Sequence, residues 1–187
     1  NNTNTAGYVG AGQAFDSAAA HIELPHTGVS ALIGNNITLE GWGYQISNPG
    51  GIPCMASGKY PNDVEFCVGS WGGPLFAGFY DGGWHTAQEV GNIPNGEWIH
   101  MAGSYDGARY IRLYRNGTET VTSADMSRPL AAGGYGWRIA MRWDGATERW
   151  NGYLDEVRIS SVTRSSNWVW ACWMNAASNS VFNGYGD

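Results

Sequence analysis

Tight-turn dipeptides recur along this chain, and they constrain the fold more than any other feature. Asp81-Gly82, Asp106-Gly107, Asn116-Gly117 and Asp144-Gly145 each close a short apolar or alternating stretch. Hairpin turns of the favoured type need positive φ, which Asn, Asp and Gly tolerate and bulky residues do not. A chain interrupted this often reads as strands, here 37–44, 64–68, 75–80, 98–105, 110–114, 137–143 and 153–160. In the first of these, alternation puts Ile37 and Leu39 on one face and Trp42 and Tyr44 on the other, so both faces are apolar. Trp137, Ile139, Met141 and Trp143 alternate in the same way with Arg138, Ala140 and Arg142. The one helical segment spans 165–173, with Ser165 or Ser166 as its cap. With no internal repeat, charge run or linker, residues 1–187 read as a single all-β sandwich domain.

Composition narrows the function classes. Only 14% of residues are charged, while Gly supplies 28 residues and Trp and Tyr 10 each; a disordered chain has the opposite profile. Sixteen acidic against 10 basic residues leave no positive footprint, which argues against nucleic acid as a partner. No apolar run nears the ~18 residues of a membrane span, so membrane insertion is not expected either. The sequence opens Asn1-Asn2-Thr3 with no apolar signal segment, and it reads as a domain excised from a larger secreted or cell-surface protein. Cys54 and Cys67 flank the turn-rich stretch Gly58-Lys59-Tyr60-Pro61-Asn62-Asp63. A disulfide clipping that hairpin is expected, contributing roughly 3 kcal/mol, and the alternative is a pair of buried thiols.

Several segments resemble, in order, the laminin-G-like jelly-roll domains of the concanavalin A-like lectin/glucanase superfamily. Phe15-Asp16 and Thr38-Leu39-Glu40-Gly41-Trp42 are similar to its first strands. Trp98-x-His100-x-Ala102-x-x-Tyr105-Asp106-Gly107 and Leu113-Tyr114-Arg115-Asn116-Gly117 resemble a central hairpin. Asn151-Gly152-Tyr153-Leu154-Asp155-Glu156-Val157-Arg158-Ile159 resembles the closing strand, and Arg164-Ser165-Ser166-Asn167-Trp168 the segment after it. The resemblance implies an antiparallel two-sheet jelly-roll sandwich. It also implies a structural calcium held by Asp16 and Asp155, although the stretch where a second acid is common reads Ser17-Ala18-Ala19-Ala20. If calcium is absent, Asp155 instead accepts backbone hydrogen bonds from a neighbouring loop.

Catalysis is not expected. Glycosidases on this scaffold need two carboxylates at a set spacing. Asp63-Val64-Glu65 offers an i, i+2 pair but only half of the related glucanases' Glu-x-Asp-x-x-Glu pattern, and a polysaccharide hydrolase or lyase remains an alternative. His100 reads as a hydrogen-bonded core imidazole, Trp42 and Trp98 as core, and Trp168, Trp170 and Trp173 as packing the C-terminal segment onto the sandwich. Trp71 and Trp84 stand in glycine-framed loops, where strand packing does not require them. Sugars dock their C–H faces on such rings, and Tyr80, Asp81 and His85, with Arg142 and Asp144 from another strand, are candidate polar partners. The expected function is a non-catalytic module for a glycan or polysaccharide. The alternative partner is a surface protein, since Trp, Tyr and Arg are also enriched in protein interfaces.

Overall fold

Alternating side chains and frequent turns give two antiparallel sheets packed face to face. The computed structural model describes residues 3–15, 20–25, 35–60, 63–130, 136–143 and 148–178. In chain order the strands are β1 (Thr3–Ala6), β2 (Ala11–Phe15), β3 (Ile22–Leu24), β4 (Ile37–Gln45), β5 (Cys54–Tyr60), β6 (Asp63–Ser70) and β7 (Pro74–Tyr80). They continue with β8 (Trp84–Asn92), β9 (Trp98–Tyr105), β10 (Ile111–Arg115), β11 (Thr118–Thr122), β12 (Trp137–Ile139) and β13 (Gly152–Ser160), followed by the helix α1 (Ser166–Ala177). One sheet runs β1-β2-β13-β4-β9-β10-β11 and the other β3-β12-β5-β6-β7-β8.

The core lies between the sheets. Ile37, Leu39, Met101 and Leu113 from the seven-stranded sheet meet Phe66, Val68, Leu75, Ala77 and Trp137 from the six-stranded one. Both sheets are also apolar on their outer faces, as the doubly apolar pattern of 37–44 anticipates. On the seven-stranded sheet Trp42 stacks on Tyr8 at 3.5 Å, and Trp98 sits among Tyr8, Tyr44 and Tyr153. Trp42 is therefore buried, but outside the inter-sheet core, and Trp98 is only half-buried.

Turn chemistry explains most element ends. Asn116 and Gly117 have φ of 48° and 75° and join β10 to β11 as a two-residue hairpin. Asp106 instead opens a longer loop, its Oδ1 accepting the N–H groups of Ala108, Arg109 and Tyr110. Ser165 caps α1 by accepting the Trp168 N–H, and the helix runs to Ala177, one turn beyond the predicted end.

Three expectations need correction. The strand read as 137–143 stops at Ile139 because Ala140 takes φ +68°, which breaks the alternation. Trp137 is fully buried while Trp143 lies over Arg138, its ring 4.5 Å from the guanidinium. The Cys54–Cys67 disulfide does not form, and both residues are free thiols. Cys54 is in register with Gly69, which makes Cys67 a diagonal neighbour, and the two side chains interact as thiols. The thiols donate to the carbonyls of Ile52 and Gly78 instead. Last, Trp173 packs against the Gly117 turn and Trp168 against the Arg164 guanidinium at 4.0 Å, yet Trp168 and Trp170 remain 45% exposed. Val169 is the residue that buries, against Ala102 and Tyr114.

Candidate functional site

The outer face of the six-stranded sheet collects residues that the sequence scatters. On β6 and β7 the inward positions feed the core, which leaves Cys67 and Phe76 facing outward with Cys54 and Ile52 in a second buried apolar cluster. Trp71, Tyr80 and Trp84 pack onto this base and stay half-exposed. Trp71 belongs to the β6–β7 turn, where its N–H donates to the Pro74 carbonyl and its own carbonyl accepts from Gln88 Nε2. Positive φ at Gly72 (64°) and Gly73 (132°) turns the chain so that the indole folds back over β7. Trp84 opens β8 opposite Tyr80, across the Asp81-Gly82-Gly83 turn.

These rings form a connected set. The Trp71 and Trp84 centroids are 5.1 Å apart, and Phe76 meets them edge-on at 5.7 and 6.0 Å. Tyr80 meets Trp84 edge-on at 5.5 Å. Edge and tilted contacts of this kind hold ring angles well. The result is a fixed, partly solvated aromatic surface whose base is apolar and rigid.

The predicted polar partners separate. Asp81 and His85 do come together: His85 Nε2 and Asp81 Oδ1 are 2.8 Å apart, and Arg128 donates to Asp81 Oδ2 at 2.7 Å. Partial burial pushes the Asp81 carboxyl up, but hydrogen bonds from Arg128 and His85 outweigh it and hold the group below its ordinary range. This network lies at the rim, because His85 packs on the inward-facing Phe79. Arg142 is salt-bridged to Glu148 at 2.6 Å, and both charges act on Cys54. Asp144 lies outside the described residues. The side chains of Asp63 and Glu65 on β6 do too, so no carboxylate spacing follows for them.

Of the two residues assigned to calcium, Asp155 is described. Asp16 lies outside the described residues. Asp155 is buried with Oδ2 accepting the Val9 N–H at 2.7 Å and Oδ1 the Glu156 N–H at 2.8 Å. Among the described residues no cluster of three or more His, Cys, Asp or Glu is arranged to hold a metal.

His100 is buried as expected, but on the outer face of the seven-stranded sheet and with Nδ1 unpartnered. Nothing in the strand signature distinguishes that placement from the core, because what covers the ring is the distant α1.

The family model described as concanavalin A-like lectin/glucanases superfamily matches residues 16–170. The chain belongs to this superfamily. None of the curated proteins matches the sequence. Among solved structures it is similar to domain 4 of AbnA, a GH43 extracellular arabinanase from Geobacillus stearothermophilus in complex with arabinotriose. That pair shares 19% identity and a TM-score of 0.76 over 91% of this chain and 80% of the other. It is also similar to the Ruminococcus gnavus IT-sialidase CBM40 bound to α2,3-sialyllactose (10% identity, TM-score 0.68, 86% and 95% covered). A third similar structure is the SAP-like pentraxin of Limulus polyphemus (15%, 0.62, 82% and 75%). At these identities the likeness establishes the shared jelly-roll fold.

Proposed function

We propose that this domain is a glycan-binding module that receives a saccharide on the outer face of its six-stranded sheet, with Trp71, Trp84 and Tyr80 as the platform. The observation that carries the reading is the contact of these three half-exposed rings around buried Phe76. Sugar C–H faces dock on such rings, and the fixed ring angles leave little conformational freedom to be lost on binding. The surface is open and only locally polar, which suits micromolar-to-millimolar affinity, roughly −8 to −4 kcal/mol per site. Arabinotriose and sialyllactose, bound by two similar structures, are the first ligands to try. A secreted or cell-surface setting agrees with the extracellular arabinanase among those neighbours.

The test is titration by intrinsic Trp fluorescence and by affinity electrophoresis in soluble polysaccharides. Trp71→Ala and Trp84→Ala should each weaken binding about tenfold or more, ~1.4 kcal/mol, while Trp170→Ala on α1 binds like the parent. Variants at Trp71 and Trp84 that bind as tightly as the parent would remove the platform from the proposal. Release of reducing ends from a polysaccharide panel, abolished by Glu65→Gln, would turn the reading to a hydrolase.

A further inference from the structure

A second concave site lies on the opposite side of the sandwich, between the outer face of the seven-stranded sheet and α1. Trp168, Ala171, Cys172, Asn175 and Ala176 line it from the helix, at the i, i+3, i+4, i+7 and i+8 spacing of one helical face. Val169 anchors the adjacent stripe on Ala102 and Tyr114, and Trp173 wedges against the Gly117 turn. The helix is thus fixed while its small residues leave a gap of about 330 Å³ above the sheet. That volume is at the small end of the ~300–1,000 Å³ typical of ligand sites.

The floor of the gap holds unmet hydrogen-bonding capacity. His100, 2% exposed, lines the cleft with Nδ1 bonded to nothing, its ring edge-on to Trp42 at 5.3 Å. Glu40, also 2% exposed, stands behind Cys172, whose thiol donates to Oε1 at 3.7 Å, and its Oε2 has no partner. Buried polar groups left unpaired cost ~1–3 kcal/mol each, so two in one place call for an explanation. At the mouth, Arg158 bonds Glu156 and approaches Glu40 Oε1 at 3.9 Å. A β-bulge between Asp155 and Arg158 re-aims these side chains, with Glu156 at φ +50°. Bulges and left-handed non-glycine residues concentrate at functional sites. Asp155 fixes this rim by accepting the N–H groups of both Val9 and Glu156.

Two features select the ligand chemistry. Burial holds the Glu40 carboxyl up and the His100 imidazole down to about 4, so the imidazole is uncharged near neutrality. A neutral imidazole with an unpaired ring nitrogen, and a carboxyl group on the neighbouring strand, want a partner able to donate and accept, which is a hydroxyl. The flanking Trp42 and Trp168 and the charged pair at the mouth suit a ring carrying several such groups. We propose that this cleft is a saccharide site separate from the Trp71/Trp84 platform, taking a single neutral sugar ring with a hydroxyl on His100 Nδ1.

The experiment follows the His100 imidazole and Trp168 indole signals by NMR in the Trp71→Ala/Trp84→Ala double variant, where the platform is silenced. The probes are L-arabinose, D-galactose, N-acetylglucosamine and arabinotriose at up to roughly tens of millimolar, the weak end of the range. At least one probe should shift both signals saturably, and Ala171→Phe, which fills the cleft from the helix, should abolish the response while melting like its parent. Ala176→Leu serves the same purpose should Ala171→Phe fold poorly. Unmoved His100 and Trp168 signals with every probe, or shifts that persist in the filled variants, would overturn the site. Failure of the platform reads out separately, as silent Trp71 and Trp84 signals in the parent protein.

Discussion

The burial of His100 makes a quantitative prediction about acid stability. The imidazole is held at a pKa of about 4, first by burial beneath α1 and second by repulsion from Arg158, against an ordinary value of 6.5. In the unfolded chain the same group protonates below pH ~6.5, so between there and pH ~4 the unfolded state binds the extra proton. Stability is therefore complete above the unfolded value and declines as pH falls through this window. At ~1.4 kcal/mol per pH unit, acidification from pH 7 to 4.5 costs about 2 kcal/mol through this residue. Glu40 acts with the opposite sign: its carboxyl is raised, chiefly by burial, so its contribution is present below ~4.5 and lost as pH rises. The parent's profile mixes the two, and His100→Asn isolates the first. Urea unfolding at pH 7 and pH 4.5 should show the parent losing about 2 kcal/mol more than the variant across that interval. A variant as acid-sensitive as the parent, or a His100 imidazole that NMR finds protonated at pH 5.5, would refute the argument that burial controls this group.

Two further predictions test how the outer faces are built. Gly117→Ala puts a side chain at φ +75° and a Cβ within 3.1 Å of the Trp173 Cβ, so it should cost ~1–2 kcal/mol or more and loosen α1. A melting temperature unchanged from the parent would mean that the turn and helix are not coupled. The free thiols of Cys54 and Cys67 should resist native-state alkylation, since burial and the neighbouring Cys67 push the Cys54 thiol well above its ordinary pKa. Adding reductant should leave the melting curve in place, and a drop in melting temperature would reveal a disulfide.

Fold class is legible in this sequence because its signals are local. Asn116-Gly117 specifies a turn geometry that few other dipeptides can adopt, alternation assigns Ile37 and Leu39 to a different face from Trp42 and Tyr44, and Ser165 caps the helix it precedes. Trp71 sits in a glycine-framed turn as its setting indicates, whereas Trp84 is the first residue of β8. What local chemistry cannot carry is adjacency across the sandwich. Trp71 and Trp84 touch because the β6–β7 and β7–β8 turns bring a loop and a strand start onto one face, while Asp81 and His85, beside them in sequence, turn to the rim.

The opposite face depends still more on long-range contacts. His100 and Trp42 follow the alternation that would suit any outward-facing strand position, and only distant segments bury them, Tyr8 stacking on Trp42 and α1 lying over His100. The bulge after Asp155 and the left-handed Ala140 are decided by tertiary packing as well, since neither residue type prefers that backbone. The sequence thus determined which residues face which side of each strand. Tertiary structure alone decided which of those sides meet solvent, a partner sheet or a helix, because burial depends on what packs above a side chain and not on its neighbours in the chain.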